Sequence, residues 1–160
     1  MPAKKEIGSK LRKKILLSIL APGIPSKVLT DNIQFIAEDD TKSNSLLYNR
    51  KYEVRFFQHR KHFLPTIQFI RENKELKFPI VKVDQGAVQY ILSGADIFAQ
   101  GITSVNYDFD TNSIVMVSNP QNAILAVGKS LKPSLECKKG KGKVILNLHY
   151  LGDKIWDGEL

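Results

Sequence analysis

Residues 83–102 read VDQGAVQYILSGADIFAQGI and predict a short capped helix that a glycine brings to an end. Asp84 suits the N-cap position, because its carboxylate can accept a hydrogen bond from a free amide of the first turn. Apolar residues then recur at helical spacing, which predicts one apolar helix face. Gly94 falls where a helix favours a left-handed terminating residue. Residues 95–102 carry few large polar side chains and a second glycine, so their backbone can lie close against a ligand, and single-stranded nucleic acid is one candidate.

This helix lies inside a predicted small closed sheet that occupies the second half of the chain. Pro79 marks a boundary, because the residue before a proline is pushed away from helical geometry. The sequence therefore predicts two domains, residues 1–79 and residues 80–160. The strands predicted for the second domain are Ile80–Val83, Ile114–Val117, Ala123–Val127 and Val144–Leu151.

The first domain shows a mixed pattern of helices and strands. Amphipathic spacing predicts a helix over Ser9–Leu20 that Pro22-Gly23 ends. Alternation over Tyr52–Gln58 predicts a half-buried strand with Arg55 facing outward. The remaining predicted elements are a helix over Ser26–Thr30, strands over Ile33–Ala37 and Ser45–Tyr48, and a helix over Leu64–Glu72 opened by Pro65.

Composition indicates a globular, basic, cytoplasmic protein. The chain is 42% hydrophobic and carries a formal charge of +8. Residues 1–80 hold 16 Lys and Arg against 8 Asp and Glu, whereas residues 81–160 hold 8 against 8. A basic chain favours phosphate-rich or acidic partners. One cysteine excludes an intrachain disulfide, no apolar run approaches the roughly 20 residues of a membrane span, and the N-terminus lacks a signal-peptide pattern.

The residues that could carry catalysis or bind a metal are sparse. His59 and His62 are three positions apart, but a zinc site needs about four ligands and only Cys137 and His149 remain elsewhere. Lysine neighbours could lower the pKa of Cys137, yet the sequence identifies no partner for a nucleophile. The phosphate-binding, dinucleotide-binding and nucleophile-elbow motifs are all absent. We therefore expect no enzyme, no metal and no cofactor.

Two basic segments are candidates for contacts with phosphate. Residues 138–143 combine four lysines with two glycines, which suits phosphate contacts and equally suits a solvated hairpin loop. In the first domain, one side of the Ser9–Leu20 helix is basic, and further cations follow it. The lysines of the first segment are Lys138, Lys139, Lys141 and Lys143, and the first-domain cations are Lys10, Lys13, Lys14, Arg55, Arg60 and Lys61.

Three separated motifs resemble the PUA domain, an RNA-binding module. They are residues 83–102, Ile124–Lys129 and Leu148–Trp156, in that order. The last contains a His-Tyr-Leu-x-Asp-x-x-Trp pattern similar to that of the malignant-T-cell-amplified-sequence family, also called the translation-machinery-associated PUA proteins. Residues 60–70 are similar to an aromatic-Pro-Thr stretch of the same family. The resemblance implies an α+β protein with an N-terminal α/β pre-PUA domain packed on a C-terminal PUA β-barrel.

The resemblance also implies where RNA binds and what the protein does. The RNA-binding positions carried over by motif are Ser93, Gly94, Ala95, Gly101 and Ile102, with Lys129 as a nearby cation. The family acts without catalysis on the small ribosomal subunit, placing or removing tRNA in initiation, re-initiation or recycling. It works with a density-regulated-protein partner that carries a SUI-type domain, and the N-terminal domain would supply ribosome and partner contacts. Trp156 is expected to pack in the barrel or in the seam between the domains.

Two alternatives stay open on the sequence. PUA domains also serve as accessories of tRNA- and rRNA-modifying enzymes, so the chain could act in RNA modification. Alternatively, its basic surface could bind an acidic protein partner.

Overall fold

The computed structural model of the protein describes residues 2–20 and 23–160, and the chain divides into two units. The first unit combines the residues up to Leu76 with Asp153–Leu160, and the second unit spans Lys77–Gly152. This division differs from the predicted one, which lies after Pro79 and includes residues 153–160 in the second domain. No helix in either described part of the chain is long and apolar enough to cross a membrane.

The first unit is built on a five-stranded antiparallel sheet in which the strands follow one another in chain order. Strand β3 is buried along its whole length, which its sequence SLLY favours. The strands are β1 (Lys5–Glu6), β2 (Phe35–Glu38), β3 (Ser45–Tyr48), β4 (Val54–His59) and β5 (His62–Pro65), and the helices are α1 (Ser9–Leu17), α2 (Ser26–Asn32) and α3 (Ile67–Glu72).

Two predicted helices of this unit have different bounds in the structure. Helix α1 ends at Leu17, three residues before the predicted end, and the predicted stop at Pro22 lies outside the described residues. Helix α3 begins at Ile67, because Thr66 is its N-cap and accepts a hydrogen bond from the Phe69 amide at 3.2 Å. Pro65 therefore ends the edge strand β5 instead of opening a helix.

Arg55 does not face solvent, and its predicted outward orientation is wrong. Only 1% of its surface is exposed, and its guanidinium forms ion pairs with Glu53 and Glu72. Glu72, which follows 17 positions later in the chain, reaches it from helix α3. Arg55 is therefore a buried structural cation, and it leaves the set of exposed first-domain cations.

The C-terminal residues 153–160 pack within the first unit. The Tyr48 hydroxyl donates a hydrogen bond to the Gly158 carbonyl at 3.1 Å, and burial raises the pKa of Tyr48 to about 12. The guanidinium of Arg71 lies 5.8 Å from the centre of the Trp156 ring. Trp156 is half-buried and belongs to the first unit, whereas one of its two expected positions was in the barrel of the second unit.

The second unit contains a six-stranded mixed sheet with the order β7-β11-β10-β9-β6-β8, in which only β6 and β9 run parallel. Buried apolar residues from the strands and helix α4 form its core. The strands are β6 (Ile80–Val83), β7 (Ile97–Phe98), β8 (Ile102–Asn106), β9 (Ile114–Ser118), β10 (Ile124–Ser130) and β11 (Lys143–Tyr150), and the helices are α4 (Gln85–Ile91), a 3-10 turn (Ala99–Gly101) and α5 (Ser134–Cys137).

The strand order requires this sheet to curl. In a flat sheet, the outermost strands β7 and β8 would lie five spacings apart, or about 24 Å. The chain between Phe98 and Ile102 is the 3-10 turn alone, and four residue steps span at most about 14 Å. The two outer strands are therefore drawn together, which gives the barrel-like curvature of the predicted PUA fold.

Candidate functional site

Helix α4 begins and ends as the sequence predicts. The Asp84 carboxylate accepts a hydrogen bond from the Ala87 amide at 2.9 Å. Gly94 has a φ of +95° and donates to the Ile91 carbonyl, while the Ala95 amide donates to the Tyr90 carbonyl. This pair of bonds is a Schellman motif, which ends the helix sharply. The chain consequently turns back beside its own helix.

The segment after this turn and helix α4 border a cleft of about 380 Å³. Buried Ile91 and Ile97 supply part of its apolar lining, and two exposed aromatic rings also line it. Tyr90 is 62% exposed and Phe98 is 48% exposed. At Gly101 an added Cβ would lie 3.3 Å from the Cβ of Ala87, so the glycine lets the 3-10 turn approach helix α4 closely.

The lysine-rich segment 138–143 is joined to this cleft. The Ala99 amide donates to the Gly142 carbonyl at 2.9 Å, and the Gly142 amide donates to Oε1 of Gln100 at 3.2 Å. Nζ of Lys143 lies 3.0 Å from Oδ2 of Asp96, which lines the cleft. Two segments joined by contacts such as Gly142 with Gln100, 42 positions apart in sequence, thus form one continuous surface.

This surface carries uncompensated positive charge. Lys138, Lys139 and Lys141 are exposed, and none of them forms an ion pair with any residue that the structure describes. The second unit holds 8 Lys and Arg against 5 Asp and Glu, a net of +3. Residues 81–160 are neutral overall because they include the tail, which has a net charge of −2, and exclude Lys77.

The predicted RNA-binding positions separate into different environments. Ala95 and Gly101 line the cleft, and Ser93 is exposed at the end of helix α4. Gly94 packs against the Tyr150 ring, and a Cβ at this position would lie 3.2 Å from Cε1 of the tyrosine. The other two positions lie elsewhere: Ile102 is buried in the core, and Lys129 lies on β10, two strands from β7.

Four residues of the cleft are not among the positions predicted to bind RNA. Tyr90 and Phe98 provide its exposed rings, and Asp96 and Gln100 connect it to the lysine segment. Tyr90 lies off the apolar face of helix α4. An aromatic residue outside the apolar face was the sequence feature that could have indicated a binding role. The ion pair and the amide contact depend on a distant segment, so no local pattern could have indicated them.

The residues considered for catalysis are dispersed. Cys137 is fully buried and its thiol contacts the Lys132 carbonyl at 3.6 Å. Burial raises the pKa of Cys137, so the expected lowering by lysine neighbours is wrong. His59 pairs with His62 across the β4–β5 hairpin, and His149 is buried on β11. Within residues 2–20 and 23–160, no three His, Cys, Asp or Glu side chains are grouped to hold a metal ion.

Comparison with solved structures supports the fold. A hypothetical protein from Pyrococcus horikoshii OT3 matches with a TM-score of 0.78 at 24% identity, covering 99% of this chain and 100% of that chain. A conserved PUA domain protein from Thermoplasma acidophilum matches with a TM-score of 0.71 at 23% identity, covering 99% and 100%. The α+β fold with a C-terminal PUA domain is thereby confirmed.

Sequence comparison identifies the family. The PUA domain model matches residues 79–151. Translation machinery-associated protein 20 of Eremothecium gossypii is 35% identical over 123 residues, which cover 71% of this chain and 67% of the relative. Human malignant T-cell-amplified sequence 2 is 36% identical over 115 residues, which cover 65% of this chain and 60% of the relative. The chain belongs to the family of PUA-domain proteins that includes translation machinery-associated protein 20 and the malignant T-cell-amplified sequences.

Proposed function

We propose that the protein is a non-catalytic RNA-binding factor of the translation machinery that holds single-stranded RNA in the cleft beside helix α4. The observation that carries this proposal is that two exposed rings, Tyr90 and Phe98, line the same cleft to which the lysine segment is bound. An ion pair and a backbone hydrogen bond join the segment to the cleft. Rings offer stacking surfaces for bases, and lysines offer charge for the phosphates that join them.

The cleft has the size and lining of a site for a planar apolar group. Its volume of about 380 Å³ falls in the range of roughly 300–1,000 Å³ that is usual for small-ligand sites. A base stacked on an aromatic ring contributes about 1–3 kcal/mol to binding, and stacking tolerates any base because every base has a π-face. Bases of a single strand are free to stack in this way, whereas paired bases are not.

The lysine segment would contact the backbone of the same strand. Lys138, Lys139 and Lys141 are exposed and lack acidic partners among the described residues. Lysine–phosphate contacts raise affinity without reading sequence, and they weaken as salt rises. We therefore expect binding that depends on strand geometry and salt more than on base identity.

The family name supports a more specific role. Relatives are named translation machinery-associated proteins, and we propose that this chain acts in the cytoplasm on the small ribosomal subunit, placing or releasing tRNA in initiation, re-initiation or recycling. A density-regulated-protein-like partner with a SUI-type domain would complete the factor. The first unit would contact the ribosome or this partner through its exposed cations, which are Lys10, Lys13, Lys14, Arg60 and Lys61.

The proposed site is tested by measuring the affinity of a fluorescent unstructured RNA and of tRNA by anisotropy. Tyr90→Ala and Phe98→Ala should each weaken RNA binding by about tenfold or more, because each removes a stacking ring. Tyr107→Asn is the matched control, since it removes a ring that is 54% exposed outside the cleft and keeps a residue that tolerates its φ of +54°. Equal RNA affinity for all three variants would place the RNA elsewhere.

Co-sedimentation with purified small ribosomal subunits, at low and at elevated salt, tests the proposed place of action. Association that is lost as salt rises supports the ribosomal role. If the protein does not co-sediment with the subunits and an RNA-modifying enzyme co-purifies with it, the role as an accessory of RNA modification replaces the ribosomal role.

A further inference from the structure

A second, smaller pocket of about 150 Å³ lies on the sheet of the second unit and shares no lining residue with the cleft. Strand β6 alternates between the two faces of the sheet, and its buried Val81 and Val83 belong to the core. Lys82 therefore lies on the opposite, outer face. The pocket is lined by Ile80, Lys82, Ser104, Asn106, Ser118 and Asn122.

The strand register brings three polar side chains of this pocket into one row. Lys82 on β6 is directly opposite Ser104 on β8 and directly opposite Ser118 on β9. In an antiparallel pair such as β6 and β8, directly opposed side chains have Cβ atoms about 4.5–5.5 Å apart. The register thus places the Lys82 side chain between Ser104 and Ser118, on one face of three adjacent strands.

The hydroxyl of Ser118 is left without a partner. Its side chain is 1% exposed, and no described residue forms a hydrogen bond with its Oγ. A buried hydroxyl without a partner is costly, so polar groups in such positions are normally satisfied. Because Ser118 also lines the pocket, a ligand bound there is the candidate partner for this hydroxyl.

Two asparagines add further donors. Oδ1 of Asn106 accepts a hydrogen bond from the Ile80 amide, which leaves the Nδ2 group of Asn106 as a donor. Asn122 enters the pocket from the turn after β9, where it has a φ of +67°. Asn119 holds this turn, since its Oδ1 accepts from the amides of Gln121 and Ala123.

We propose that this pocket binds a phosphoryl group. Its lining includes one ammonium group, two hydroxyls and two amides but no carboxylate, and no described carboxylate pairs with Lys82. Such a set favours an anion with several acceptor oxygens. The volume equals that of about five waters in the liquid, which is room for one tetrahedral oxyanion and too little for a nucleoside. The phosphoryl group belongs either to an RNA backbone or to free phosphate.

The site itself is tested by titrating the intact chain with inorganic phosphate. Amide chemical shifts in NMR measure the binding. The wild type should show saturable shifts at Lys82, Ser104 and Ser118. Lys82→Gln should weaken phosphate binding at least tenfold, and Ser104→Ala, at an exposed position, should weaken it severalfold without disturbing the fold. Lys132→Gln removes an exposed lysine of the same unit and should leave the shifts unchanged. Absence of saturable shifts in the wild type, or their persistence in Lys82→Gln, overturns the proposal.

RNA binding by Lys82→Gln identifies the source of the phosphoryl group. If the variant binds single-stranded RNA more weakly and its salt slope falls by about 0.7, the pocket holds one backbone phosphate. If RNA affinity is unchanged while phosphate binding is lost, the pocket takes free phosphate. Either result supports the site. Tyr90→Ala should keep the phosphate shifts, so a failure of the cleft as an RNA site and a failure of this pocket are distinguishable.

Discussion

At position 128 only a glycine fits without displacing the neighbouring strand, which lies against it. A Cβ at this position would lie 2.5 Å from Cγ2 of Ile145 and 2.6 Å from the carbonyl oxygen of Leu146. The second contact is with backbone, so a side-chain rotation cannot relieve it. The register of β10 against β11 also shifts between Val127 and Gly128, as it does at a β-bulge.

We therefore expect Gly128→Ala to lower the free energy of unfolding by about 1–3 kcal/mol, as overpacking of a tight site does. Urea unfolding measures the change. Gly86→Ala is the matched control, because a Cβ there meets only Oδ1 of Asp84 at 3.5 Å, which is ordinary contact, and alanine favours a helix by about 0.5–1 kcal/mol over glycine. Similar unfolding midpoints for the two variants would contradict the tight approach of β10 and β11.

Single residues were predictable where their role is local. Asp84 and Gly94 act on amides and carbonyls within five positions of themselves, so the sequence alone indicates their roles. Arg55 was not predictable, because its burial depends on Glu72 from a helix 17 positions away. The close contact at Gly128 was not predictable either, since it comes from β11 and not from a turn.

At the scale of elements, the charges of the lysine segment were evident in the sequence but its place was not. The pattern of lysines and glycines equally fitted a solvated loop. What places it is a set of contacts with Asp96, Ala99 and Gln100, which no periodicity could show. The same contacts separate Lys143, which is paired with Asp96, from the other three lysines.

This division predicts different effects for the two groups of lysines. Replacing Lys138, Lys139 and Lys141 together by glutamine should lower the slope of log affinity for single-stranded RNA against log salt by about 2, because each lost phosphate contact removes about 0.7. Lys143→Gln should change the slope less, since its charge is already compensated by Asp96. Anisotropy titrations at several salt concentrations measure both slopes.

The matched control is the triple replacement of Lys10, Lys13 and Lys14 by glutamine on helix α1, which removes the same charge from the other unit. Its salt slope for free RNA should stay at the wild-type value. An equal flattening of the slope by both triple variants would show that the lysine segment contributes only general charge.

At the scale of the whole molecule, the path of the chain is the feature that the sequence does not reveal. The chain leaves the first unit after Leu76, forms the second unit and returns at Asp153. Such a return depends on contacts between residues about 100 positions apart, such as Tyr48 with Gly158. A division made at a single point in the sequence cannot represent it.

Removing residues 153–160 should therefore loosen the first unit and spare the second. The truncation deletes the acceptor of the buried Tyr48 hydroxyl and the ring beside Arg71, together worth about 2 kcal/mol, so amides of β2–β4 should exchange about 30-fold faster. Hydrogen-exchange mass spectrometry resolves the two units. Deleting only Glu159 and Leu160 keeps the Gly158 carbonyl and should have a small effect. Faster exchange in β9–β11, with β2–β4 unchanged, would mean that the tail stabilises the second unit instead.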